Sequence, residues 1–161
     1  MIRAADTGDW IGTFEGHRGA VWKFRLNADS TRGASASADF SVKLWDTIKG
    51  TELHTFEHKH VVKSADFSPD GQTLITAGHE KVVRLFNLAN PSAAPQLLSE
   101  GHSKALSHAW FNKDGTLFYT AGEDQDVKVW DRRTLAEVAK MPTAAAVWVH
   151  VCFFESTAST P

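Results

Sequence analysis

The sequence predicts an all-β protein, an incomplete β-propeller of about three full four-stranded blades with partial strands at each end. Three observations carry that prediction. Gapless histidine-to-aromatic stretches recur three times, the closing aromatics are 41 and then 44 residues apart, and short runs of alternating apolar residues are separated by turn chemistry.

The repeat is read by aligning His17, His58 and His102. An apolar residue follows at the fourth position (Val21, Val62, Leu106), an aromatic or leucine at the ninth (Leu26, Phe67, Phe111), an aspartate at the twelfth (Asp29, Asp70, Asp114) and an aromatic at the twenty-eighth (Trp45, Phe86, Trp130). The extra residues of the second interval fall in Asn90-Pro91-Ser92-Ala93-Ala94-Pro95, a loop composition, so they lengthen a connection and spare the strands. VWKFRL, VKSADF and LSHAWF open the repeats as strands. Asp70-Gly71 and Asp114-Gly115 then supply residues that tolerate positive φ in a hairpin, whereas the first repeat has Asp29-Ser30, a poorer turn former. TLITAG and TLFYTAG follow, then SVKLWD, VVRLFN and VKVWD, and the fourth strand is TELHTF in the first repeat and LAEVAKM in the third. The chain divides into 1–15 (remnant of a preceding blade and its linking strand), three repeats at 16–57, 58–100 and 101–142, and 143–161 (first strand of a next blade and a divergent tail). Strict recurrence argues against a β-sandwich.

Each repeat also carries polar residues at fixed offsets. The first has His17, Ser35, Asp39 and Trp45, the third His102, Thr120, Asp124 and Trp130, and the second an eroded set, His58, Thr76, Glu80 and Phe86. Serine, histidine and aspartate together resemble a nucleophilic triad, but a catalytic set is needed once, and this one recurs in register. A hydrogen-bonded chain linking the histidine of an entry loop, the hydroxyl of one strand, the acid of a hairpin and the indole N–H of the next strand satisfies buried polar groups and locks loop to strand. The sequence therefore predicts structural tetrads and no enzyme.

Composition narrows the partners. With 161 residues the chain fits one domain, and with 22% charged residues and a formal net charge of −2 it lacks the positive excess for gripping a nucleic-acid backbone, so no direct nucleic-acid binding is expected. The single cysteine, Cys152, excludes an internal disulfide and suits a reducing compartment, cytoplasm or nucleus. No stretch approaches the roughly 20 apolar residues that span a bilayer, and MIRAADTGDW lacks the features of a secretory signal, so no membrane association is expected. His54, His58, Lys59 and His60 read as a solvated loop rather than a metal site, and Gly8, Gly12, Gly16 and Gly19 as turn glycines rather than a phosphate loop. No cofactor is expected. Asp131-Arg132-Arg133, Lys43 and Lys128 read as solvated faces.

Positions one, three and five past the repeat histidine, with the residue before the acid, should cluster at one loop end of the blades. They are Arg18, Ala20, Trp22 and Ala38; Lys59, Val61, Lys63 and His79; and Ser103, Ala105, Ser107 and Glu123. Arg18, Trp22, Lys59, Lys63, His79, Ser103 and Glu123 are the candidate partner-binding residues, Trp22 and Arg18 foremost because tryptophan and arginine dominate binding hot spots. Trp22 reads equally well as wall of the channel.

The strings GHRGAVW…SADFSVKLWD, HKHVVKSADFSPDGQTLITAG…VRLFNL and GHSKAL…TAGEDQDVKVWD resemble WD40 repeats. More narrowly, DTGDWIGTFEGHRGAVW, HKHVVKSADF and the NLANPSAAPQ insertion are similar to the branch of WD-repeat scaffolds associated with serine-threonine kinase receptors, over roughly residues 2–146. The resemblance implies a seven-bladed propeller in the full family member. It also implies a protein-protein scaffold in the survival-of-motor-neuron complex and spliceosomal small ribonucleoprotein assembly, or in TGF-β receptor and Smad signalling. The WD-repeat subunit i of translation initiation factor three, which shares the GH-GAVW and SAD-LWD patterns, is the alternative. HKHVVKSADF and the NLANP insertion favour the first. The sequence departs from the family after Val147, and Ile2 to Ala5 reads as the tail of a strand whose blade is missing. Unpaired strands at Trp10–Phe14 and Val147–Phe153 then imply open blade edges and self-association.

Overall fold

The computed structural model describes residues 2–3, 7–8, 10–99 and 101–143. These form strands and turns. A two-stranded sheet pairs β1 (Ile2–Arg3) with β2 (Trp10–Gly12). The first four-stranded sheet contains β3 (Val21–Leu26), β4 (Arg32–Ser37), β5 (Ser41–Asp46) and β6 (Thr51–Glu57). The second contains β7 (Val62–Phe67), β8 (Thr73–Gly78), β9 (Val83–Asn87) and β10 (Gln96–Leu98). The third contains β11 (Leu106–Phe111), β12 (Leu117–Gly122), β13 (Asp126–Asp131) and β14 (Glu137–Pro142). Every four-stranded sheet is an antiparallel meander in chain order. The expectation that Trp10–Phe14 stays unpaired is corrected: with Gly8 at φ 74° between them, β2 folds back on β1, and its backbone groups gain ladder partners. The expected strand at Val147–Phe153 lies outside the described residues.

The sheets meet through their first strands. β7 packs against β3, β4 and β5 on one side and β11 on the other, so consecutive sheets fan out like blades. Buried polar groups stitch this inner seam. Ser64 Oγ donates to the Ala109 carbonyl and accepts from the Ala109 amide, both at 3.1 Å, and Asp66 accepts the Phe111 amide at 3.1 Å while lying 3.7 Å from Arg25 Nε of the first blade. Farther out, Arg132 reaches from the third blade to Asp70 and Thr73 of the second, each at 2.9 Å, with its guanidinium 5.5 Å from the Phe111 ring centre. Arg132 therefore staples two blades instead of standing on a solvated face.

Burial explains the strand composition. Second strands are enclosed on both faces, which is why β4 reads Gly-Ala-Ser-Ala-Ser after its first residue, all buried: small side chains let neighbouring blades approach. One apolar seam joins Ala34, Ala36, Val42 and Phe56 to Val62, Phe67, Leu74 and Phe86, and a second joins Ile75, Val83 and Leu85 to Leu106, Phe111, Phe118 and Trp130. The insertion at 90–95 lies between β9 and β10, where a longer connection disturbs neither seam.

The hairpin thirteen residues past each repeat histidine holds a left-handed residue, at φ 59° for Ser30, 66° for Gly71 and 68° for Gly115. A side chain there costs about 1–2 kcal/mol, against which glycine's larger unfolded-state entropy returns about 0.5–1 kcal/mol. Ser30→Gly is expected to stabilise the chain by roughly 0.5 kcal/mol. A thermal melt checks this, and a lowered midpoint contradicts it.

Candidate functional site

In the first and third blades the repeat residues form one hydrogen-bonded chain. The Trp45 indole N–H donates to Ser35 Oγ at 2.7 Å, Ser35 Oγ is 2.6 Å from His17 Nε2, and His17 Nδ1 is 2.8 Å from Asp39 Oδ2. In the third blade the same steps, Trp130 to Thr120, Thr120 to His102 and His102 to Asp124, measure 2.8, 2.7 and 2.8 Å. The two ends set the directions. A carboxylate only accepts, so Nδ1–H donates to it, and with the ring proton placed there Nε2 accepts from the hydroxyl, whose oxygen in turn accepts the indole N–H.

The acids extend the chain into the backbone. Asp39 accepts the Arg18 amide at 2.8 Å and the Ser41 hydroxyl at 2.7 Å, and Asp124 accepts the Ser103 amide at 3.0 Å. Each tetrad thereby pins the loop before the first strand to the hairpin between the second and third. Burial opposes ionisation of Asp39, but the Ser41, Arg18 and His17 bonds together outweigh it and hold the carboxyl well below the ordinary aspartate range. Asp124 is depressed likewise, His102 and the Ser103 amide outweighing burial. Chemically these units fasten. Ser35 and Thr120 are 3% and 0% exposed, and a hydroxyl already bonded on both sides has no room for a substrate.

The second blade is wired differently. His58 Nε2 still meets Thr76 Oγ1 at 2.9 Å, but its Nδ1 donates to the Phe56 carbonyl at 3.0 Å. Glu80, one methylene longer than aspartate, bonds the Lys59 amide and the Arg84 guanidinium. Phe86 has no N–H to offer and faces the His58 ring edge-on at 5.8 Å. Unpaired with a carboxylate, the buried His58 imidazole is pushed down to about 4.

Sequence reasoning missed three features of this framework. A Cβ on Gly101 meets Trp130 Cη2 at 2.6 Å, and one on Gly16 meets the same atom of Trp45 at 3.2 Å, so a closing tryptophan requires glycine before the histidine. The second blade, with phenylalanine there, carries Glu57 instead. Lys43 and Lys128 are corrected from solvated faces: their ammonium groups lie 2.6 Å from Glu52 and 2.5 Å from Glu137, and Lys128 is buried. Their nine-residue spacing from a glutamate, present in both repeats, was the signal. Finally, the strand register shifts between Val21 and Lys23, Val62 and Ser64, and Leu106 and His108, a bulge at Trp22, Lys63 and Ser107 in every innermost strand.

Among the candidate partner-binding residues, the structure brings Lys63, His79 and Glu123 together. Lys63 Nζ is 3.5 Å from Glu123 Oε1 across the seam of the second and third blades, and His79 feels the charges of both. Two residues outside the candidate partner-binding set join them: the His60 ring is 5.2 Å from His79 and 5.5 Å from Phe40, which is 43% exposed. Arg18, Lys59 and Ser103 are exposed and contribute backbone amides to the three acids, and Trp22 is 55% exposed. Ser107 turns its hydroxyl to the Ala121 carbonyl at 3.1 Å. The histidine cluster disperses: His54 packs on Phe56 at 4.7 Å, His58 serves the tetrad position and His60 turns to Phe40. Among the described residues no group of three His, Cys, Asp or Glu is placed to hold a metal ion.

Comparison with known proteins agrees with this architecture. The WD domain, G-beta repeat family matches residues 8–46, 50–87 and 95–131. The serine-threonine kinase receptor-associated protein of Gallus gallus is 46% identical over 147 residues, 91% of this chain and 41% of that protein. The eukaryotic translation initiation factor 3 subunit I of Phaeosphaeria nodorum is 33% identical over 139 residues, 79% of this chain and 41% of that protein. The chain thus spans about two fifths of the length of these relatives. A solved structure of U3-55K superposes with a TM-score of 0.78 at 22% identity, over 83% of this chain and 43% of that one, a likeness of fold.

Proposed function

The chain belongs to the WD40-repeat family, and on that footing we propose that it is a non-catalytic scaffold for protein-protein interaction in spliceosomal small ribonucleoprotein assembly, within the survival-of-motor-neuron complex, or in TGF-β receptor signalling. The observation that carries the scaffold reading is the recurrence of the tetrad in the same register in two blades, with buried hydroxyls. The assignment to this branch rests on the 46% identity with a protein named for association with serine-threonine kinase receptors. Cytoplasm, and the nucleus as well, are the compartments this role requires. Affinity purification of the full-length parent followed by mass spectrometry tests it. Gemin and Sm proteins, or receptor and Smad proteins, are the expected catch; subunits of initiation factor three in their place overturn the assignment.

Self-association belongs to the same reading, with a second copy as the occupant. Val21, Phe24 and Leu26 of β3 are 51%, 38% and 47% exposed, whereas their repeat equivalents Val62, Ala65 and Phe67 are 1%, 0% and 7% exposed because β7 is covered by the preceding sheet. A sheet from a second copy offers β3 the same kind of surface. Sedimentation velocity of the 161-residue chain is expected to show species larger than a monomer, shifting toward monomer in Leu26→Lys. Monomers at every loading concentration contradict it.

A further inference from the structure

The loop-end surface over the second blade holds a continuous ribbon of side chains from all three blades. Phe40 comes from the β4–β5 hairpin, His60 from the loop before β7, His79 from the β8–β9 hairpin, Lys63 from the bulge in β7 and Glu123 from the β12–β13 hairpin. It begins with an exposed aromatic ring, continues through two imidazoles and ends on an ammonium whose partner is distant: Lys63 to Glu123 measures 3.5 Å, with the Glu123 side chain 49% exposed. Two further acids adjoin it in the chain, and both are engaged: Glu80, next to His79, by Arg84 and the Lys59 amide, and Asp39, next to Phe40, by His17 and the Arg18 amide. The ribbon therefore presents donors and a cation beside an apolar face, in a chain whose formal net charge is −2.

We propose that the ribbon Phe40–His60–His79–Lys63 is a docking site for an acidic peptide segment with an apolar anchor, and that Glu123 is a built-in competitor for its carboxylate. The proposal deepens the scaffold reading and rests on it. The anchor side chain packs on Phe40, a carboxylate replaces Glu123 at Lys63, and His60, whose Nδ1 accepts the Val61 amide and whose Nε2 therefore carries the ring proton, supplies a further donor. Arg18 and Lys59, exposed on adjoining loops, extend the positive border. A peptide fits better than RNA because the cations are few, interrupted by Glu123, and do not track a phosphate backbone. His79 is held below the usual histidine range by burial and by Lys63 and His60, against the opposing pull of Glu123.

Fluorescence anisotropy with the full chain and a labelled peptide of aspartates and glutamates around one phenylalanine tests the site. The controls are the same peptide with asparagine and glutamine, and a mixed-sequence single-stranded RNA. The acidic peptide is expected to bind at least about tenfold more tightly than the neutral one. Lys63→Glu is expected to abolish the preference, Phe40→Ser to weaken binding and Glu123→Gln to tighten it several-fold, with Lys113→Glu as a remote control that leaves it unchanged. Because Glu123 is exposed, Glu123→Gln tests the site without threatening the fold. Equal binding of the neutral peptide, no tightening in Glu123→Gln, or RNA binding with the same variant sensitivities overturns the proposal. Retained capture of partners by the Lys63→Glu parent protein overturns this site alone, whereas loss of every partner from the unaltered parent overturns the scaffold reading.

Discussion

Asp124→Ala is expected to destabilise the chain by about 2–3 kcal/mol, because it strands the Nδ1–H of a histidine whose side chain is 2% exposed. The neighbouring links have no slack: Thr120 Oγ1 is already shared by His102 and the Trp130 indole, so the ring cannot rotate toward another acceptor without breaking them. Asp39→Ala removes the same support from His17, whose side chain is 7% exposed, and releases the Arg18 amide and Ser41 hydroxyl. Its cost is expected to be similar. Glu80→Ala is expected to cost nearer 1 kcal/mol, since His58 Nδ1–H keeps its bond to the Phe56 carbonyl and the Arg84 guanidinium can swing toward water. Urea unfolding of the three variants side by side checks the order. Equal losses, or a larger one for Glu80, contradict the wiring described above.

That wiring shows what a single sequence conveys. The twenty-eight-residue interval from histidine to aromatic was legible because bonding a loop imidazole, a strand hydroxyl and an indole in one line fixes how much chain separates them. The erosion of the second set was legible too, since phenylalanine has no N–H. What His58 does instead was not: its bond to the Phe56 carbonyl depends on the rotamer left open once Glu80 is drawn to Arg84, a residue of another strand. The bulges at Trp22, Lys63 and Ser107 were equally hidden, because alternation in VWKFRL or VKSADF shows faces but not a slip of register against the partner strand. Phe40 and His60 were not legible as partner-binding residues for a related reason. Neither lies at a position marked by the repeat histidine or acid, and they meet because adjacent blades bring a hairpin and a loop to one place.

Acidification is expected to weaken the chain in two stages, the first set by His58. Its imidazole is pushed from 6.5 to about 4, chiefly by burial, with Arg84 adding to the effect and the Phe56 carbonyl and Glu80 resisting it. Below pH 6.5 the unfolded chain takes up a proton that the folded chain refuses until about pH 4. The stability is therefore complete above the upper value and drains as pH falls toward the lower one, by about 3 kcal/mol in all. His79, also depressed, acts in the same sense. Asp66 opposes it: burial raises its carboxyl, so its ionised form costs stability, and the cost is relieved as pH falls through the raised value. The depressed carboxyls of Asp39 and Asp124 act only lower, their contribution being present above the ordinary aspartate value of 3.8 and lost as pH falls below it. Urea unfolding at pH 7 and pH 4.5 separates the stages. The parent chain is expected to lose about 2–3 kcal/mol between them, and His58→Gln, weaker at pH 7 for want of the ring packing on Phe86, to lose far less. The same pH dependence in both proteins would show that a different group carries the first stage.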